Sequence, residues 1–287
     1  MTPRTVFLGT PEFAVPSLAA LEALADAGAI RLVGVVTQPD RPAHRGRITA
    51  PPVKARAERL GVPVLQPARL GGEALAAVLA LEPELLVWAA YGNRIPRALI
   101  DAAGRRALNV HASLLPRWRG AAPIAHAILA GDDETGVTIM EGTAELDRGP
   151  IVAQKRTRIG PRESAGELTD RLAVMGADLL RATLPRYVAR ELVPVPQDDS
   201  LATLAPKVAT ADAAIDWSRP AEEVARRIRA MTPQPGAWTT YKGDRLIVTA
   251  ATVLGGPPRE HGTLLVRAGD AYAAYWGAAD APHVACG

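Results

Sequence analysis

Asn109 and His111 have types and a spacing that could do chemistry together. They alternate with Leu108 and Val110, and this polar–apolar alternation predicts a β-strand. Since side chains two residues apart point to the same face of a strand, an amide and an imidazole would stand side by side. The amide could donate to an oxygen that gains negative charge, and the imidazole could exchange a proton near neutral pH. Taken alone, such a pair is more often two polar groups whose hydrogen bonds are satisfied at the end of a sheet.

The residues after this strand predict a loop followed by a helix. Pro116 ends the strand because proline brings no N–H to a ladder. Gly120 precedes an apolar helical pattern that begins near Pro123, where an early proline costs little. Open α/β sheets bind ligands where a strand ends and a loop leads into a helix. We therefore predict a ligand site within residues 109–123.

The same residues carry a resemblance to a known family. Residues 109–123 read NVHASLLPRWRGAAP, which resembles the signature of the folate-dependent formyltransferases, in particular those that act on methionyl initiator tRNA. The resemblance implies transfer of the formyl group of 10-formyltetrahydrofolate to the α-amine of that methionine, without a metal ion. In this scheme Asn109 donates to the oxyanion, and His111 and Asp147 complete the catalytic set.

Asp147 lies in residues 141–149, EGTAELDRG, which resemble the loop of the family that bears a catalytic aspartate. The resemblance implies that Asp147 holds His111 in one orientation and assists proton loss from the attacking amine. Glu145 and Arg148 depart from the family pattern at this loop.

A folate site is a further implication of the resemblance. Its expected residues are Ser113, Leu114, Leu115, Pro116, Tyr91 and Gly92. For the two leucines, packing in the core is an equally good interpretation, and Tyr91 could be an ordinary packing aromatic.

Residues 38–54 form a basic segment with no acid after Asp40. It contains Arg41, Arg45 and Arg47, which could grip a phosphate backbone or only face solvent. The segment resembles the loop that engages the acceptor end of tRNA in this family, so the resemblance implies tRNA-binding roles for these arginines. His44 replaces the glycine that is usual there.

Composition places the chain among globular proteins: 48% of its 287 residues are hydrophobic and 22% are charged. The net charge of +3 is only a weak pointer to an anionic partner. The one cysteine, Cys286, excludes an internal disulfide and a cysteine-rich metal site. With no membrane-spanning run and no signal peptide pattern, we expect a cytoplasmic protein, and no obligate protein partner is evident.

Alternating strand and helix patterns predict an α/β fold with a Rossmann-like, mostly parallel sheet. The expected strands are residues 5–9, 30–37, 62–65, 85–90, 107–111, 135–140 and 151–159. The expected helices are residues 15–27, 52–60, 73–81, 97–102, 124–130 and 163–189. Gly9-Thr10-Pro11 is not a dinucleotide fingerprint, so a nicotinamide enzyme is not expected.

The predicted domains are a catalytic domain over residues 1–189, an extended linker over 190–209 and a C-terminal domain over 210–287. A helix over 221–231 and strands near 238–241, 246–253 and 263–266 suggest a small β-barrel, which is OB-like in the family. Because the chain stops short of the family's usual final strands, we expect this barrel to be incomplete.

Two other functions fit the same residues. The catalytic set could serve a different acceptor, either an amino-sugar nucleotide or glycinamide ribonucleotide. A non-catalytic protein that binds folate or RNA is the other alternative.

Overall fold

The structure, a computed structural model, describes residues 2–42, 48–104, 106–143, 145–241, 243–254, 263–268 and 271–276. The helices are α1 (Val15–Asp26), α2 (Pro52–Arg59), α3 (Gly72–Leu79), α4 (Arg97–Ala102), α5 (Pro123–Ala130), α6 (Ala165–Val188) and α7 (Ala221–Met231). The first ten strands are β1 (Arg4–Gly9), β2 (Arg31–Val36), β3 (Arg41–Pro42), β4 (Ile48–Thr49), β5 (Val64–Leu65), β6 (Leu85–Ala89), β7 (Ala107–His111), β8 (Arg119–Gly120), β9 (Glu134–Glu141) and β10 (Ile151–Arg158). The remaining strands are β11 (Leu204–Ala205), β12 (Ala237–Tyr241), β13 (Asp244–Val248), β14 (Ala250–Leu254), β15 (Thr263–Ala268) and β16 (Ala271–Trp276).

A seven-stranded sheet in the order β10-β9-β7-β6-β1-β2-β5 forms the centre of the fold. The pairs among β7, β6, β1, β2 and β5 are parallel, and β9 runs antiparallel to β7. Strands buried on both faces of a parallel sheet need continuous apolar runs, and Val6, Phe7 and Leu8 in β1 are fully buried. The predicted mostly parallel α/β sheet is confirmed.

Strand order brings the carboxyl ends of β1, β6 and β7 next to one another. From β1 the chain continues to β2 and β5 on one side of the sheet, and then to β6 and β7 on the other. This reversal is a topological switch point, where open α/β sheets bind ligands. Asn109 in β7 lies opposite Trp88 in β6, so the end of β6 flanks the candidate catalytic strand.

The N-terminus of α6 begins two residues later than predicted, and the local sequence explains the position. Ser164 accepts a hydrogen bond from the backbone N–H of Glu167, whose carboxylate accepts one from the backbone N–H of Ser164. This reciprocal capping box satisfies backbone donors that a helix end leaves unpaired. Glu163 therefore stays outside the helix.

Backbone contacts divide the chain into two compact units. The first contains residues 1–119, 136–156 and 170–203, and the second contains residues 120–135, 157–169 and 204–287. These units do not follow the predicted domains, which stay a prediction. Much of the expected linker belongs to the first unit, where Val195 exchanges two backbone hydrogen bonds with Ile151. This part of the expected linker is thus an integral part of the first unit.

In the second unit, α7 supplies an apolar stripe to a separate core. Val224, Ile228 and Met231 follow a helical spacing, are buried, and pack with Ala237 and Val248. The strands form a two-stranded sheet of β12 and β13 and a three-stranded sheet of β14, β15 and β16.

Two expectations for the second unit change. The single strand expected over residues 246–253 is two strands, β13 and β14, and β16 was not predicted. The expectation of an incomplete C-terminal end concerns residues 277–287, which lie outside the described residues. Within the described part of the chain, no helix is long and apolar enough to cross a membrane.

Candidate active site

Strand β7 presents Asn109 and His111 at one buried position of the first unit, where each is 6% exposed. Asn109 Nδ2 donates to Asp147 Oδ1 at 3.3 Å, and His111 Nδ1 lies 3.7 Å from Asp147 Oδ2. The side chains of the predicted catalytic set therefore meet around one carboxylate. An amide carries two N–H groups, so the bond to Asp147 leaves Asn109 a second donor for the oxygen of a reacting carbonyl.

The imidazole of His111 is oriented by a backbone carbonyl. Its Nε2 lies 2.9 Å from the carbonyl oxygen of Trp118, which can only accept a hydrogen bond. This contact places a proton on Nε2 and turns Nδ1 toward Asp147. Asp147 lies beside Nδ1 at 3.7 Å, and its role in orienting the ring stays a prediction. Trp118 holds its carbonyl there with a φ of 64°, in the left-handed region.

Asp147 lies in the loop between β9 and β10, whose ends leave no room for side chains. The side chain of Asp147 is buried at a backbone φ of 51°. A Cβ on Gly149 would lie 1.7 Å from the carbonyl oxygen of Glu141, and one on Gly142 would lie 1.9 Å from the ring of Trp88. Close packing of the backbone at both ends therefore sets the path of the loop.

Gln197, which sequence reasoning assigned only to a linker, contacts this loop directly. Its Nε2 donates to the carbonyl oxygens of Asp147 and Gly149, at 2.8 Å each. Its Oε1 accepts from Nε and Nη2 of Arg119, at 3.0 and 2.8 Å. Arg119 is 6% exposed and pairs its Nη2 with Asp199 at 2.8 Å. Arg119 belongs to the signature over residues 109–123, but no local pattern links it to Gln197.

The two departures from the family pattern pair with each other. Arg148 contacts Glu145 at 3.0 Å and also contacts Asp199. Hydrogen bonds from Arg119 and Arg148 lower the pKa of Asp199 below its usual value. Glu145 and Arg148 thus form an exposed ion pair beside Asp147.

The expected folate residues differ in exposure. Ser113 is fully buried, and its hydroxyl donates to the carbonyl oxygen of Arg117 at 2.6 Å. Leu115 is also buried, whereas Leu114 and Pro116 are half-buried. These residues form the loop after β7, whose backbone is held by Thr138 and Gln154.

Tyr91 and Gly92 follow the end of β6. The side chain of Tyr91 is buried, and burial raises the pKa of its hydroxyl. The backbone carbonyl oxygen of Tyr91 accepts a hydrogen bond from Thr10 Oγ1 at 2.9 Å. Gly92 is exposed with a φ of 84°. The folate-binding roles of the residues at both strand ends stay predictions.

The basic segment begins on a short two-stranded ribbon of β3 and β4. Arg41 is exposed and donates to Gln38 Oε1 at 3.2 Å, while Arg45 and Arg47 lie outside the described residues. Asp40 is bound by Gln66 and Lys54, whose hydrogen bonds lower its pKa. Across the described residues, no group of three or more His, Cys, Asp or Glu side chains is arranged to hold a metal ion.

Similar proteins give the family. A family model described as formyl transferase matches residues 3–184, and one described as formyl transferase, C-terminal domain, matches residues 207–272. The methionyl-tRNA formyltransferase of Halorhodospira halophila is 50% identical over 261 residues, which are 91% of this chain and 83% of that protein. The methionyl-tRNA formyltransferase of Myxococcus xanthus is 48% identical over 256 residues, 88% of this chain and 80% of that protein.

Solved structures agree on the fold. An N-formyltransferase from Helicobacter canadensis, in complex with folinic acid and dTDP-3-aminofucose, matches with a TM-score of 0.69 at 16% identity, covering 95% of this chain and 97% of that chain. A phosphoribosylglycinamide formyltransferase from Bacillus halodurans matches with a TM-score of 0.55 at 25% identity, covering 66% of this chain and 96% of that chain. With the family models matching most of its length, this chain belongs to the formyl transferase family.

Proposed function

We propose that this chain transfers the formyl group of 10-formyltetrahydrofolate to the α-amino group of methionine on initiator tRNA. The observation that carries the proposal is the 50% identity, over 91% of the chain, to a protein named methionyl-tRNA formyltransferase. The contacts of Asn109 and His111 with the buried carboxylate of Asp147 support it. Solved formyltransferases that act on other acceptors share the fold at 16–25% identity, and they do not favour a sugar or ribonucleotide acceptor here.

The chemistry is an acyl transfer between two nitrogens. The folate supplies the formyl group on its N10 nitrogen. The α-amine attacks the formyl carbon, negative charge develops on the formyl oxygen, and the bond from carbon to N10 then breaks as the carbonyl re-forms. One proton leaves the attacking amine and one arrives on N10, so the exchange is balanced.

The side chains of this chain divide that work. Asn109 donates its second N–H to the formyl oxygen as that oxygen gains charge. Asp147, beside His111, takes the proton that the amine releases, and the pair delivers one to N10. The contact between His111 Nε2 and the Trp118 carbonyl leaves Nδ1 on the side of Asp147, where such a transfer can occur.

The proposed folate site lies where strands β6 and β7 end. The loop after β7, residues 113–116, and the turn after β6, Tyr91 and Gly92, form the proposed folate site. The proposed contact to tRNA is made by the basic segment through Arg41, Arg45 and Arg47. Such contacts are electrostatic, so they position the acceptor end without reading its sequence.

One assay tests the proposal. Purified protein is given 10-formyltetrahydrofolate and methionyl initiator tRNA, and formylmethionyl-tRNA is measured together with formylation of an amino-sugar nucleotide and of glycinamide ribonucleotide. We expect turnover only with the tRNA. Asn109→Ala should lower kcat by about 10²–10³-fold with little change in folate affinity, because it removes an oxyanion donor. Turnover on either small acceptor with none on tRNA would refute the proposed acceptor, and folate binding without any turnover would favour a non-catalytic protein.

A further inference from the structure

We propose that Gln197 and Arg119 are positioning residues that hold the backbone of the Asp147 loop in its reactive conformation. The inference rests on the proposed function, and it concerns a connection that neither the family match nor the catalytic signature assigns. Gln197 contacts this loop although it lies 50 residues after Asp147 along the chain. All the groups involved belong to the first unit.

The amide of Gln197 is fully used, and its orientation is fixed by its partners. Both carbonyl oxygens that it faces, on Asp147 and Gly149, can only accept hydrogen bonds, so Nε2 must point to them. The guanidinium on its other side can only donate, so Oε1 must point to Arg119. No other side-chain amide orientation satisfies these partners. Gln197 is therefore a rigid bridge between Arg119 and the loop.

Arg119 is in turn held along the edge of its guanidinium that carries Nε and Nη2. It is buried, it donates twice to Gln197, and it pairs with the carboxylate of Asp199. A buried cation that is hydrogen-bonded in a planar fork has little freedom to shift. The bridge is thus anchored to Arg119, which lies eight residues beyond His111 in the same signature.

The backbone conformation of Asp147 is uncommon for a residue other than glycine. Asp147 has a φ of 51°, and its side chain must reach Asn109 and His111 from there. Residues in this region persist where the surrounding structure fixes them, and they cluster at active sites. The bonds of Gln197 fall on the carbonyl of Asp147 itself and on that of Gly149, two residues later. They fix the peptide groups that set the direction of the carboxylate.

A double-mutant cycle tests whether Gln197 acts through Asp147. Gln197→Met keeps the approximate shape of the side chain and removes all its hydrogen bonds. We expect kcat for methionyl initiator tRNA to fall about 10- to 100-fold, with KM for both substrates changed less than about threefold, because misplacement of a catalytic group slows the chemical step. When Asp147 is already replaced by Asn, adding Gln197→Met should lower kcat less than about threefold, because the residue it positions is gone.

Amide hydrogen exchange gives a second readout that needs no substrate. Peptides covering Asp147 to Gly149 should exchange faster in Gln197→Met than in the parent, while peptides covering β1 should not change. Gln197→Glu should behave like Gln197→Met, because a carboxylate in place of Nε2 faces two carbonyl oxygens. Gln234→Glu, at an exposed glutamine of the second unit, makes the same change of charge and should retain parental values.

The outcomes separate the inference from the proposed function. An inactive parent protein refutes the proposed function. In that case the inference is decided by hydrogen exchange alone, from whether Gln197→Met speeds exchange in the peptides covering Asp147 to Gly149. If the parent is active and Gln197→Met leaves its kcat unchanged, the inference is refuted. It is also refuted if Gln197→Met lowers kcat by the same factor in the parent and in the Asp147→Asn variant. If the variant only lowers Tm, with a parental kcat per folded molecule, Gln197 is structural and the inference fails.

Discussion

At the scale of single residues, the spacing of Asn109 and His111 was sufficient to predict that their side chains share one face. That prediction needs only the two-residue repeat of a strand. The carbonyl of Trp118 and the amide of Gln197 could not be predicted in this way. A backbone carbonyl carries no sequence signal, and Gln197 lies 50 residues from Asp147 in a stretch whose prolines indicate extended chain.

Gly149→Ala tests how tightly the loop path is set. A Cβ would meet the backbone oxygen of Glu141 at 1.7 Å, so the backbone must move and carry Asp147 with it. We expect kcat to fall at least about tenfold and the free energy of unfolding to fall by about 1–3 kcal/mol. Steady-state kinetics and urea denaturation measure the two effects.

The matched control is Gly71→Ala. A Cβ there meets nothing within 4 Å, and Gly71 has an extended backbone at the start of α3. Its kcat should be parental, and its free energy of unfolding should fall by no more than about 1 kcal/mol, because alanine is a weaker N-cap than glycine. A parental kcat in Gly149→Ala would mean that the loop adapts without moving Asp147.

At the scale of elements, the central sheet was predictable because its strands are apolar. The helices between them are recognisable from the helical spacing of their apolar residues. The strands β1, β2, β6, β7, β9 and β10 all begin and end within a residue of the sequence expectation. The contacts of the segment after α6 were not predictable. Its prolines and acids are typical of an extended linker, but backbone pairing of Val195 with Ile151 and the hydrogen bonds of Gln197 join it to the first unit. Such long-range pairing has no periodic pattern in the sequence.

Tyr187 connects α6 to the end of β9, and its titration can be measured. Its hydroxyl donates to Glu141 Oε1 at 2.8 Å, and burial together with this carboxylate raises the pKa of Tyr187 well above its usual value. A raised folded-state pKa contributes stability that is complete below the pKa of the unfolded state, about 10, and is lost as the pH rises above it. The parent should therefore lose stability between about pH 10 and 11.5 more steeply than Tyr187→Phe.

Urea denaturation of both proteins across this range measures the difference. At pH 7, Tyr187→Phe should cost about 1 kcal/mol, because one hydrogen bond to a carboxylate is lost at a partly exposed position. Identical slopes for the two proteins above pH 10 would show that Tyr187 does not couple α6 to β9 through its proton.

At the scale of the whole molecule, the charge distribution matters more than the net charge. The net charge of the chain is only +3. The basic segment over residues 38–54, however, has no acidic residue after Asp40, and Asp40 itself forms an ion pair with Lys54. Residues from Asp212 to the end carry equal numbers of basic and acidic side chains. The field that attracts tRNA should therefore come from the basic segment, although Arg45 and Arg47 lie outside the described residues.

Salt dependence of tRNA binding tests this assignment. We expect the double change Arg45→Ala and Arg47→Ala to weaken tRNA binding and to flatten the plot of log Kd against log salt concentration by about 0.7–0.9 per lost phosphate contact. Arg31→Ala removes an exposed arginine at the amino end of β2, the end opposite to the basic segment, and should leave the slope unchanged. Equal slopes for the double variant and the parent would refute contact between these arginines and phosphate.

The packing of residues 141–149 has a consequence for mutational tolerance. Positions 142 and 149 admit no side chain, and position 147 needs a residue that accepts a left-handed backbone, which favours aspartate and asparagine. Glu145, Leu146 and Arg148 are exposed. In a library that randomises the loop, active clones should keep positions 142, 147 and 149 while varying freely at the exposed ones. The surface charge of the loop, now set in part by the ion pair of Glu145 and Arg148, could then be redesigned without disturbing the carboxylate that the loop carries.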